Sequence, residues 1–136
     1  MRQVAVGPKA AVFACLLALA GCGAGDRGQD VAAVAQRFHA ALEAGDGQAA
    51  CDQLSEETAS KLEQQAKKPC DQAILGLALP KGGTVAATGV YVQSAYALRG
   101  EGGTDFLSEG PDGWTISAAG CRPTAPKQPY ECELEG

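Results

Sequence analysis

The chain holds a single histidine, His39, and its only methionine is Met1. One imidazole excludes the HExxH zinc helix and any metal finger that needs a second histidine. GxSxG and P-loop sequences are missing too, and the glycine-rich stretches fall where turns or linkers are expected. Basic charge is scarce: 11 Lys and Arg stand against 16 Asp and Glu, with no basic cluster larger than the pair Lys67-Lys68. Nucleic-acid binding relies on neutralising phosphates and is therefore not expected. Long apolar runs are short as well: Ala10 to Ala20 gives eleven apolar residues, where a membrane-spanning helix needs about 20.

What is there begins with that run. Arg2 and Lys9 form a positive head, the apolar stretch follows, and small residues close it at Leu19-Ala20-Gly21-Cys22. This is the arrangement of a secretory signal peptide over residues 1–21. The four closing residues resemble the lipobox of bacterial lipoproteins. That resemblance implies cleavage before Cys22 and a diacylglyceryl group on its thiol, with acyl chains such as palmitate. Two chains anchor firmly where one is marginal, since each buried CH₂ contributes about 0.8 kcal/mol. The expected address is the outer face of the cell membrane, and Cys15 departs with the leader.

Cleavage there leaves 115 residues, enough for one small domain. It removes Arg2 and Lys9, so 9 basic side chains face 16 acidic ones. Such a surface has no electrostatic pull toward anionic lipid, and the lipid on Cys22 must do the anchoring. Aromatics beyond the leader are few: Phe38, Phe106, Trp114, Tyr91, Tyr96 and Tyr130. Small apolar side chains leave a thin core in a domain of this size, so crosslinks would help. Cys51, Cys70, Cys121 and Cys132 are an even set in an exported chain and read as two disulfides. Three pairings are possible; locality favours Cys51–Cys70 and Cys121–Cys132. A zinc site is the rival use, but CxxC spacing is lacking. No metal and no cofactor are expected.

Along the chain, residues 22–29 read as the lipidated cysteine and a glycine-rich tether, at most about 25 Å long at ~3.5 Å per residue. A single domain is expected over 30–136. Asp30 can cap a first helix in which Val31, Val34, Ala35, Phe38, Ala41 and Leu42 recur at helical spacing, ending at Gly45. Asp46 can cap a short second helix. Ser55 followed by Glu56 and Glu57 starts a third, with Lys67-Lys68 suiting its C-terminal dipole. Pro69 breaks it, and a short turn over Cys70–Leu77 closes the helical half. The pattern then becomes strand-like: Thr84–Gln93, Ser94–Arg99, Thr104–Ser108 and the alternation Trp114, Ile116, Ala118, separated by turns at Gly100–Gly103 and Gly110–Gly113. Three prolines make Arg122–Pro129 a loop, and Tyr130–Glu135 can return as a short edge strand. Helices followed by antiparallel strands give an α+β fold, with N-terminal helices packed on a curved sheet.

The phrases Phe38-His-Ala-Ala-Leu-Glu-Ala-Gly-Asp-Gly-Gln-Ala-Ala-Cys51, Gly113-Trp-Thr-Ile-Ser-Ala-Ala-Gly-Cys121 and Pro129-Tyr-Glu-Cys132 resemble those of small actinobacterial lipoproteins, which are similar to the nuclear transport factor 2-like superfamily. The resemblance covers about residues 30–135 and implies a cone of helices wrapped by a curved sheet. It carries no catalytic signature, because that superfold hosts enzymes, binding modules and assembly domains alike.

Chemistry is thin. His39 lies one residue off the stripe marked by Phe38 and is expected on the flank of the first helix, partly exposed. Tyr91, Tyr96 and Asp105 fall on strands where they can face a cavity, but spacing pairs none of them with His39. Glu56-Glu57 suit a helix start, and Trp114 suits the core better than ligand stacking. The expected role is therefore non-enzymatic, with no catalytic residue: a membrane-anchored module that binds an envelope protein or a small ligand. The alternative is a small cavity enzyme using His39, Tyr96 or Asp105 as acid or base.

Overall fold

The structure, a computed structural model, describes residues 24–100 and 103–136. The leader and Cys22 lie outside the described residues. Four helices come first: α1 Ala24–Ala44, α2 Gly47–Cys51, α3 Glu56–Ala66 and α4 Cys70–Leu75. Six strands follow: β1 Val85–Tyr91, β2 Ser94–Arg99, β3 Thr104–Gly110, β4 Gly113–Pro123, β5 Tyr130–Glu131 and β6 Leu134–Glu135.

Local chemistry sets most of the helix ends. Gly45 closes α1 at φ 70°. The Asp46 carboxylate accepts from the Ala49 amide at 3.0 Å, and the Ser55 hydroxyl accepts from the Thr58 amide at 3.2 Å. Each side chain satisfies an amide that the first helical turn would leave unpaired. The start of α1 differs from expectation. Residues 24–29, read from sequence as a tether, are helical, so Asp30 lies inside the helix and caps nothing. Two glycines make that stretch a weak helix former. Contacts of Arg27 with the strands, described below, overcome that preference.

The strands form one sheet in the order β1-β2-β3-β4-β5, with β6 also pairing β4, and every ladder between them is antiparallel. The final segment, expected as one edge strand, is split in two. β5 pairs the end of β4 at Arg122 and Pro123, whereas β6 pairs Ala118 and Ala119. Leu134 of β6 is buried, and the Gly136 amide donates to Ser117 O at 2.9 Å.

Val31, Val34, Ala35, Phe38 and Leu42 of α1 share one hydrophobic cluster with Ala95, Ala97, Leu107, Trp114 and Ile116 of the strands. Phe38 and Ile116 are wholly buried, each contributing about 1.5–3 kcal/mol through burial. The segment between α2 and α3 is tied to β4 by main-chain bonds, Ser55 N to Ile116 O at 2.9 Å and Ile116 N to Gln53 O at 2.8 Å. Both disulfides favoured on locality are present, Cys51–Cys70 joining α2 to α4 and Cys121–Cys132 joining β4 to the C-terminal segment. They account for all four cysteines beyond Cys22.

Candidate functional site

The only histidine is not on an exposed flank. His39 has no solvent-accessible surface, and neither has Asp105, which sits on β3. Along α1, His39 is four residues after Ala35 and three before Leu42, both buried. Those spacings put it on the same face as the apolar stripe. The stripe of Val31, Val34, Ala35, Phe38, Ala41 and Leu42 is therefore wide enough to take in His39, and the expected exposed flank is corrected to a buried position.

His39 Nε2 lies 2.7 Å from Asp105 Oδ2, and Nδ1 lies 2.5 Å from Pro80 O. A carbonyl oxygen can only accept, so Nδ1 carries its hydrogen. One proton is then shared between Nε2 and the carboxylate. Asp105 Oδ1 also accepts from the Gly120 amide at 3.2 Å, and Gly82 N donates to His39 O at 2.9 Å. The Phe38 ring meets the imidazole edge-on with centroids 4.9 Å apart. The cluster therefore ties α1, the 80–82 segment, β3 and β4 at one buried point.

Arg99, on β2, is the third charged member. It is buried, and its Nη2 donates to Gly82 O. Burial pushes the guanidinium down from its ordinary value, and the Asp105 carboxylate partly offsets that. Its Nε and Nη1 find no partner among the described residues.

A histidine–carboxylate pair is the orienting half of many acid–base sites, but such a site leaves one ring nitrogen facing the substrate. Here a backbone carbonyl takes one nitrogen and a carboxylate the other, and the pair is closed to solvent.

The tyrosines considered with His39 lie elsewhere. In the β2–β3 register Ala97 opposes Asp105, and Tyr96 opposes Phe106. Neighbouring residues on a strand point to opposite faces, so Tyr96 and Asp105 are on opposite sides of the sheet. Tyr91 is 67% exposed. The Tyr91 and Tyr96 ring centroids are 6.2 Å apart, and Phe106 meets Tyr130 edge-on at 5.1 Å. With Leu98, these side chains form an outward apolar stripe. Trp114 is buried, as expected.

A second constellation surrounds Arg27, in the part of α1 read from sequence as tether. Its Nη2 donates to Glu109 Oε2 on β3 and to Val92 O in the β1–β2 turn. Its guanidinium lies 5.3 Å from the Trp114 ring centroid, within cation–π range. The beginning of α1 is thus fastened to two strands at one end of the sheet. Sequence spacing offered no signal for this, since Arg27 and Glu109 are 82 positions apart.

An open groove between α1 and β1 is lined by Gly25, Gly28, Gln29, Ala32 and residues 85–88, none of them titratable. Among the described residues no group of three or more His, Cys, Asp or Glu side chains is placed to hold a metal ion. No described helix is long and apolar enough to cross a membrane. The chain matches no family model, no curated protein and no solved structure.

Proposed function

We propose that the chain is a lipoprotein held on the outer face of the cell membrane by lipid on Cys22, and that its domain is a non-enzymatic binding or interaction module. The leader and the Leu19-Ala20-Gly21-Cys22 sequence support the anchor. Two disulfides in so small a domain fit an oxidising compartment outside the cytoplasm. The observation that carries the module reading is the closed His39–Asp105 pair, in which both imidazole nitrogens are already engaged. The polar group best suited to acid–base work serves the fold instead. The outward stripe of Tyr96, Leu98, Phe106 and Tyr130 offers the surface on which an envelope protein or small ligand would be met. The α+β order of elements is compatible with the cone-like fold of the nuclear transport factor 2-like superfamily, as in small actinobacterial lipoproteins. We propose that kinship, and with it a sheet curved around the helices.

The anchor is tested by feeding a labelled fatty acid to cells producing the wild type or Cys22→Ala. Label should appear on the wild type and vanish from the variant; equal labelling of both would overturn the assignment. The second reading is a cavity enzyme, favoured only by the 2.7 Å histidine–carboxylate contact. Complementation of a deletion strain separates the two. A double variant, His39→Leu with Asp105→Leu, should restore the cellular role if present at normal abundance. Loss of the role at normal abundance would favour the enzyme.

A further inference from the structure

The end of the domain that carries the start of α1 also carries the β1–β2 turn. Arg27 makes that neighbourhood explicit by donating to Val92 O at the turn and to Glu109 beside it. Cys22 precedes the first residue of α1 by two positions. Two residues of chain reach at most about 7 Å, and the three helical steps to Arg27 add about 4.5 Å. A lipid on Cys22 therefore holds this end of the domain, and not the opposite one, against the bilayer.

What the turn presents there is unusual for a surface loop. Tyr91 is 67% exposed and Val92 82% exposed. Tyr91, Val92, Gln93 and Ser94 carry no charge, and the Glu109 carboxylate beside the turn is paired with Arg27. Val92 has φ 54°, a conformation that two-residue hairpins normally give to Gly, Asn or Asp. A branched apolar side chain is thus held outward on a backbone that disfavours it. A tyrosine beside an apolar residue suits the boundary between lipid headgroups and acyl chains.

We infer that the β1–β2 turn, through Tyr91 and Val92, rests in the surface of the same bilayer that holds Cys22, so that the domain is fixed to the membrane at two points in one orientation. This rests on the lipid anchor proposed above. Asp26, Asp30 and Asp112 are exposed at this end, so the contact is an apolar one that needs no anionic lipid.

Tyr130 supplies an internal control. It is also exposed, but it lies on β5, three strands across the sheet from β2, where it pairs with Pro123 and its ring meets Phe106. The lipidated mature protein is placed on phosphatidylcholine vesicles and iodinated with lactoperoxidase, an enzyme too large to enter the bilayer surface. Flotation and the mass of the N-terminal peptide are recorded alongside. The ratio of Tyr91 to Tyr130 iodination should fall several-fold relative to unlipidated Cys22→Ala in solution. Val92→Asp should restore the ratio without changing flotation. A protein that floats with an unchanged ratio, or a Val92→Asp variant that keeps Tyr91 protected, overturns the contact and leaves the anchor standing. A wild type without acyl mass on Cys22 overturns the anchor and the contact with it.

Discussion

His39 on α1 and Asp105 on β3 are 66 positions apart and share a proton across 2.7 Å, both without any solvent exposure. The bond is a fully buried polar link between the helical and the strand half of the chain. Removing one partner of a buried charged pair commonly costs about 3–5 kcal/mol, because the other is left uncompensated. His39→Ala should lower the urea-unfolding free energy by about that much. The double change to leucine at both positions should recover only part of the loss, because it also takes the Asp105 carboxylate away from the buried Arg99 guanidinium and the Gly120 amide. A single-variant loss below about 0.5 kcal/mol, typical of exposed sites, would show that the pair does not hold the fold.

The disulfides should appear in unreduced peptide maps as Cys51 joined to Cys70 and Cys121 joined to Cys132. Replacing Cys51 and Cys70 together by serine should cost about 3 kcal/mol, the chain-entropy value for a loop of this length. Calorimetry of the double variant measures it, and an unchanged midpoint would argue that the loop is already constrained without the bond.

Gly47 opens α2 against the backbone of α4. A Cβ there would lie 1.9 Å from Asp71 O, and main chain cannot swing aside as a side chain can. Gly47→Ala should therefore destabilise by about 1–3 kcal/mol, as overpacking does. Denaturant titration at unchanged slope would show the effect lies in the folded state.

Val92→Asn should act in the other direction. Relief of the left-handed strain at a turn position should raise stability by about 1 kcal/mol. Thermal unfolding in solution tests it; a lower midpoint would mean that the valine side chain makes a contact worth more than its strain.

Much of the architecture was legible because its causes are local. Asp46 and Ser55 are caps that read directly from sequence, and Gly45 is a stop. The cysteine pairs lie 19 and 11 positions apart, so nearest-neighbour pairing found both. The alternation of Trp114, Ile116 and Ala118 marked β4. The failures share another cause. The first turns of α1 contain Gly25 and Gly28, whose propensity argues for a tether, yet they are helical, with Arg27 bonded to partners 65 and 82 positions away. The candidate site failed for the same reason. His39 needed Ala35 and Leu42 to place it inward, but its partners Pro80 and Asp105 are 41 and 66 positions away. No periodicity encodes a contact of that range.

The second disulfide also makes the redox state of the compartment part of the folding programme. β6 is two residues long, and with β5 it covers the far side of β4 at Ala118, Ala119, Arg122 and Pro123. So short a strand holds poorly by itself, and Cys121–Cys132 is the covalent link beside it. With the thiols reduced, the last strand can peel away, baring Leu134 and a row of unpaired amides and carbonyls on β4. Such an edge invites pairing with another chain. Oxidation closes it, so self-association should be confined to the time before the bond forms.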